Sequence, residues 1–174
     1  MSDLAHKKSH EYLTNMGVHI WTEGRVTDYD GKTISLADGR TIKTKNLIWS
    51  AGVTGNIPEG AVSQEELQRG NRFKVDRTSK IIGTDNIYAI GDISCMETPK
   101  YPHGHPQLAR VAGDQAMNLA KNFNKIGQGL SEDKLALFEY QDPGSMATIG
   151  KHKAVVDLPK FSFSGRLAWF TWMI

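Results

Sequence analysis

The run Ile87-Tyr88-Ala89-Ile90, apolar throughout and cut off by Gly91-Asp92, constrains this chain more than any other feature. Four consecutive apolar residues offer no polar face to water. They read as a strand buried on both sides, as in a parallel sheet covered by helices. A strand that stops at Gly-Asp leaves a carboxylate at the carboxyl edge of that sheet, where open α/β folds bind ligands. Glycine there permits close backbone approach, and aspartate accepts hydrogen bonds from ligand hydroxyls. The same residues also suit a strand and an Asp-containing turn that hold nothing.

Leu47-Ile48-Trp49 has the same character and runs into a turn of small residues, Ser50 to Gly55. Before it, Asp3 to Met16 reads as a helix capped at Ser2 or Asp3, stopped by Gly17, with Leu4, Tyr12, Leu13 and Met16 inward. Val18 to Trp21 reads as a short strand. Gly24–Asp28, Thr33–Leu36 and Arg40–Lys43 form a meander hinged at Asp30-Gly31 and Asp38-Gly39, strong hairpin signals. Phe73–Asp76 and Ile81-Ile82 are short strands. The clearest helix runs from Pro106 to about Asn124, with Leu108, Val111, Ala112, Leu119, Ala120 and Phe123 inward and Gly127 at its exit. Phe138 and Tyr140 alternate in a late strand, Pro143-Gly144-Ser145 turns, and Ala154-Val155-Val156 is a last strand.

Composition removes several function classes. Lysine plus arginine is 21 against 19 acidic residues, too near neutral for a general nucleic-acid binder. The single cysteine, Cys95, allows no intramolecular disulfide, no zinc site built on paired cysteines and no dithiol redox chemistry. His103 and His105 flank Gly104 but lack a third ligand at useful spacing, so no metal site is expected. The N-terminus is not a secretory signal, and the apolar stretch Leu167 to Ile174 is far short of the roughly 20 residues that cross a bilayer.

Thr84 to Asp92 resembles the second flavin fingerprint of two-dinucleotide-domain flavoproteins. Three further stretches, Leu47–Asn56, Gly104–Ala109 and Phe138–Gly150 before Ala154-Val155-Val156-Asp157, narrow the resemblance to the type II NADH dehydrogenases, single-subunit NADH:quinone oxidoreductases. That resemblance implies an α/β fold made of the C-terminal parts of an NADH domain and an FAD domain, with the three-stranded meander. The segments expected are 1–70 from the NAD(H) domain, 71–157 from the FAD domain, and 158–174 as the start of a membrane-anchoring region. Neither of the family's Gly-x-Gly-x-x-Gly turns occurs in the 174 residues, so the chain is expected to be a C-terminal portion, inactive by itself and trimmed ahead of its anchor.

The resemblance also implies residue roles. Asp92 would bond the ribityl chain of FAD, with Gly91 letting the backbone approach. Gln107 and Leu108 would open the helix facing the flavin ring, and Gly144 and Ser145 would line the flavin and quinone side. Ala51 and Gly52 would lie near NADH. Where relatives read Ala-Gln-x-Ala-x-Gln-Gln beside the quinone tunnel, this chain reads Ala109-Arg110-Val111-Ala112-Gly113-Asp114-Gln115, so only Gln115 keeps the pattern. Arg110 and Asp114 are either an altered tunnel mouth or a solvated ion pair. Phe161, Phe163, Trp169, Phe170 and Trp172, with Lys160 and Arg166, suit a membrane interface. The implied chemistry is hydride transfer from NADH to FAD and two-electron reduction of a quinone, by a peripheral enzyme on the cytoplasmic face of the inner (plasma) membrane. Exposed strand edges point to a homo-oligomer. A sulfide:quinone reductase, which needs a cysteine pair, and a non-catalytic interaction module are the alternatives.

Overall fold

The computed structural model describes residues 1–58, 60 and 67–173. In chain order the elements are α1 (Asp3–Asn15), β1 (Val26–Tyr29), β2 (Thr33–Leu36), β3 (Thr41–Lys43), β4 (Leu67–Gln68), β5 (Arg72–Val75), β6 (Ser94–Met96), α2 (Ala109–Gly127), β7 (Ser145–Thr148), β8 (Ala154–Asp157), β9 (Ser162–Gly165) and α3 (Arg166–Met173). They form two compact units, Met1–Trp49 with Asp142–Ile174, and Ser50–Gln141. These units run differently from the segments 1–70, 71–157 and 158–174.

The first unit is built on β8. Ala154, Val155 and Val156 are fully buried, and alternation sends them to opposite faces of the antiparallel sheet β7–β8–β9. Val155 packs with Ala5 and Ile149 beneath α1, while Ala154 and Val156 pack with Ala168 of α3. Ser2 caps α1, its Oγ accepting from the Ala5 N–H at 3.4 Å. The Asp157 carboxylate accepts from Ser162 Oγ and the Ser2 N–H, and those bonds hold its pKa below the usual range. The inward stripe of α1 is Ala5, Tyr12 and Leu13, whereas Leu4 and Met16 are exposed. The meander β1–β2–β3 forms as its turns dictate. Asp30 Oδ1 accepts from the Lys32 and Thr33 N–H groups at 2.8 and 2.6 Å, and Ile34 and Leu36 face inward.

In the second unit β4 pairs antiparallel and β6 parallel with β5. Phe73, Val75, Met96, Val111, Phe138 and Tyr140 lead its core. The inner face of α2 carries Val111, Gln115, Leu119 and Asn122. Asn122 donates to Ala136 O at 3.0 Å and accepts from Ala136 N at 2.7 Å, pinning the segment after the helix.

Several expected elements are absent or displaced. Leu47–Trp49 is not a buried strand: no strand among the described residues pairs with it, and Ile48 is 92% exposed. Ile87–Ile90 makes one isolated bridge, Lys80↔Tyr88, flanked by the Ala89 N–H on Ser79 O at 3.0 Å and the Ile81 N–H on Ile87 O at 2.8 Å. The buried strand follows Gly91-Asp92, as β6. Val18–Trp21 forms no strand, Ile81 makes only a bridge, and Phe138 is fixed not by a ladder but by Arg77, whose Nε donates to its carbonyl at 3.1 Å. Helix α2 begins three residues later than Pro106, since the chain first makes a tight turn, Leu108 N–H donating to Pro106 O at 3.0 Å, while the Gln107 side chain is engaged with Asp92 O. It runs through Gly127, and Gly129 takes the left-handed exit at φ +78. Leu108 and Phe123 are exposed. Of the late aromatics, Phe163 and Trp169 pack against Ala154, Val156 and Ala168, which leaves Phe161, Phe170 and Trp172 on the surface.

Candidate functional site

The second unit holds Gly91-Asp92 on a short 3-10 turn, Gly91–Ile93, between the Ile87 segment and β6. Gly91 lies at φ +69, and a Cβ there would sit 3.2 Å from Ala112 Cβ. The missing side chain therefore lets α2 close onto the turn. The Gly91 N–H donates to Gln115 Oε1 at 2.7 Å, and Ser94 Oγ donates to Gly91 O at 2.9 Å and lies 3.3 Å from the same Gln115 oxygen. Gln107 Nε2 donates to Asp92 O at 2.9 Å. The turn is thus held at three points, each by an interior or anchored amide or hydroxyl. Among the described residues the exposed Asp92 carboxylate has no partner. It stands free on a fixed backbone, which suits a group meant to accept hydrogen bonds from a ligand.

The start of α2 completes the site. Leu108 is its N-cap residue, extended at φ −130, and no side chain caps the first turn. An uncapped N-terminus presents backbone N–H groups and the positive end of the helix dipole. Gln107 also lines a neighbouring cavity of about 530 Å³, which Gly52, Arg72, Cys95 and His103 share. The Cys95 thiol is buried, and burial pushes its pKa up, so it is not a poised nucleophile. His105 packs against Tyr101, Phe138 and Tyr140, and burial lowers its pKa, which keeps the ring neutral at pH 7.

The remaining expected residues fall as follows. Gly52, at φ +84, lies on the cavity wall, and Ala51 beside it is exposed. Arg110 Nε donates to Asp114 Oδ2 at 2.9 Å on the outer face of α2, an i,i+4 pair that raises the Arg110 pKa. Gln115 points inward and reaches Gly91, away from the surface that Arg110 and Asp114 share. Gly144 and Ser145 belong to the other compact unit, where Ser145 pairs with Asp157. No group of three or more potential metal ligands converges among the described residues. Ser94 and Arg72 were not singled out by sequence reasoning, and no spacing signal marks either one.

Gln115→Leu is expected to leave the Gly91 N–H without an acceptor. A buried orphaned donor costs about 1–3 kcal/mol, enough for a measurable fall in thermal midpoint. An unchanged midpoint would mean that Gln115 does not hold the turn.

Residues 1–116 match the family model described as "Pyridine nucleotide-disulphide oxidoreductase". The chain is 31% identical over 169 residues to the type II NADH:quinone oxidoreductase Ndh of Mycobacterium tuberculosis, covering 93% of this chain and 35% of that protein. It is likewise 31% identical over 176 residues to the mitochondrial internal alternative NAD(P)H-ubiquinone oxidoreductase A1 of Arabidopsis thaliana, covering 92% of this chain and 34% of that one. The chain therefore spans about a third of the length of these curated relatives. Among solved structures, NDH2 from Plasmodium falciparum in complex with NADH superposes with a TM-score of 0.77 over 98% of this chain and 50% of that one. At 20% identity that likeness establishes the α/β fold.

Proposed function

This chain belongs to the pyridine nucleotide-disulphide oxidoreductase family, and from that premise we propose that it supplies the flavin-facing part of an FAD-dependent NADH:quinone oxidoreductase. The observation that carries the proposal is the free Asp92 carboxylate on a turn fastened through Gly91 and Asp92 O. Asp92 and the start of α2 would hold FAD, which would supply hydride acceptance from NADH and two-electron transfer to a quinone. The residues present fit the ribityl end of that cofactor: Asp92 accepts from its hydroxyls, and the uncapped start of α2 favours negative charge on the ring. They do not fit its pyrophosphate, because no Gly-x-Gly-x-x-Gly turn lies in the sequence.

Ala51 and Gly52 are assigned to the NADH side, and Arg110 and Asp114 to the quinone side. Gln115 acts through the turn, as a positioning residue. Gly144 and Ser145 are retained as flavin-side candidates only through the family resemblance. No helix among the described residues is long and apolar enough to cross a membrane. The exposed Phe161, Leu167, Phe170 and Trp172, with Arg166 and Lys160, favour docking on a membrane surface, and the cytoplasmic face of the inner (plasma) membrane is assigned only through the family resemblance. Exposed Ile48 and Trp49 favour burial by self-association or by further sheet.

The test joins the chain to a polypeptide carrying the two glycine-rich dinucleotide turns. NADH oxidation with a short-chain quinone is expected, and Asp92→Ala should weaken flavin retention by about 10- to 100-fold, the worth of one hydrogen bond to a charged group. Flavin retention indifferent to Asp92→Ala would remove Asp92 from the site.

A further inference from the structure

Arg72 is 8% exposed and lies against the cavity that Gln107 borders. Its Nε donates to Arg69 O at 3.0 Å, Nη2 to His103 O at 3.1 Å and Nη1 to His105 O at 3.4 Å. All three acceptors are neutral carbonyls. A guanidinium has five N–H donors, so two remain beyond these bonds. No carboxylate among the described residues pairs with it, and Glu97, the acid on the cavity wall, is tied to Lys74 Nζ at 3.1 Å. Buried charges in proteins are ordinarily paired. Arg69 also lines the space, which adds a second cation to its wall.

The loop over Arg72 is shaped around that charge. A Cβ on Gly104 would sit 2.6 Å from Cys95 Sγ and 3.2 Å from Arg72 Nη1, so only glycine lets His103 and His105 bring their carbonyls onto the guanidinium. Gly52 and Gly70, at φ +84 and +80, also line the cavity with bare backbone, and a Cβ on Gly70 would lie 4.0 Å from Arg72 Nε. A volume of about 530 Å³ exceeds what the side chains fill and lies in the range of small-molecule sites.

We infer that this cavity binds an oxyanion, a phosphate group that Arg72 meets with its unspoken-for N–H donors and Arg69 meets at the rim. The inference does not rest on the flavin reading and would stand if Asp92 touched no flavin. A free phosphate ion and a phosphate carried by a nucleotide share this chemistry.

The 174-residue chain itself can be titrated, following backbone amide resonances at constant ionic strength, with orthophosphate in one arm, AMP in a second and chloride as the control. Saturable shifts at Gly52, Gly70 and Gly104 with phosphate but not chloride are expected. AMP binding tighter than orthophosphate would identify a nucleotide as the source, and equal or weaker binding a free ion. Arg72→Gln should abolish the shifts. Should that variant not fold, Arg69→Gln, an exposed substitution, should weaken binding about 10-fold, one charge-assisted bond. Shifts absent in both ligand arms, reproduced by chloride, or unchanged in Arg69→Gln would overturn the assignment.

Discussion

Purified alone and offered FAD, the chain is expected to stay colourless. Flavoproteins that keep FAD through purification hold it at about nanomolar Kd, near −12 kcal/mol. Much of that affinity comes from the pyrophosphate, received by a glycine-rich turn and helix N-terminus that this sequence does not contain. Without about three charge-assisted hydrogen bonds of roughly 1.5–3 kcal/mol each, some 5–9 kcal/mol is lost. Each 1.4 kcal/mol is tenfold, so the Kd moves to about the micromolar-to-millimolar range. Asp92 would supply only the proposed ribityl contact, however well Gln115 and Gln107 hold its turn. Visible flavin absorbance after gel filtration, and NADH oxidation with a soluble quinone, are the two readouts. A yellow preparation with stoichiometric flavin would overturn the estimate and show that another surface of this chain receives the pyrophosphate.

What sequence reasoning could and could not reach divides along a physical line. The meander was legible because Asp30-Gly31 and Asp38-Gly39 determine their turns locally, through short side-chain bonds and left-handed glycines. The cap at Ser2 and the doubly buried β8 were legible for the same reason, a local rule or an unbroken apolar run. Leu47–Trp49 and Ile87–Ile90 satisfied that rule too and did not form strands. An apolar run states only that burial is favourable; a ladder needs partners far away in sequence. The Gly91-Asp92 turn was located correctly, and the structure adds a second reason for its glycine: a Cβ there would crowd Ala112 at 3.2 Å, a contact visible only once α2 lies across the turn. Gln115 did leave a trace, since it falls four residues after Val111 and four before Leu119, on the buried stripe. Arg72 left none: in β5 it alternates with Phe73 and should face outward, and it is buried only because the Gly104 loop closes over it.

Gly144 carries the largest expected effect of any single substitution at a site residue. It lies at φ +107, a backbone conformation that L side chains rarely adopt. An added Cβ would sit 2.4 Å from Asp157 O and 2.9 Å from Leu158 Cα, both backbone atoms that cannot swing aside. The neighbours belong to β8 and its continuation, the strand on which both helices of the first unit pack. Backbone strain of about 1–3 kcal/mol and overpacking of about 1–3 kcal/mol together place Gly144→Ala near 2–6 kcal/mol of destabilisation. For a unit of this size each kcal/mol lowers the midpoint by about 4–8 °C, so a fall of at least about 8 °C is expected. Trp169, packed against Ala154, Val156 and Ala168, reports that unfolding by fluorescence. Ser145→Ala is the contrast: Ser145 is exposed and pairs through its backbone, so its change should stay within about 0.5 kcal/mol. A Gly144→Ala midpoint within a degree or two of the parent's would mean that the hairpin does not need this glycine, and the structural account of it would fall.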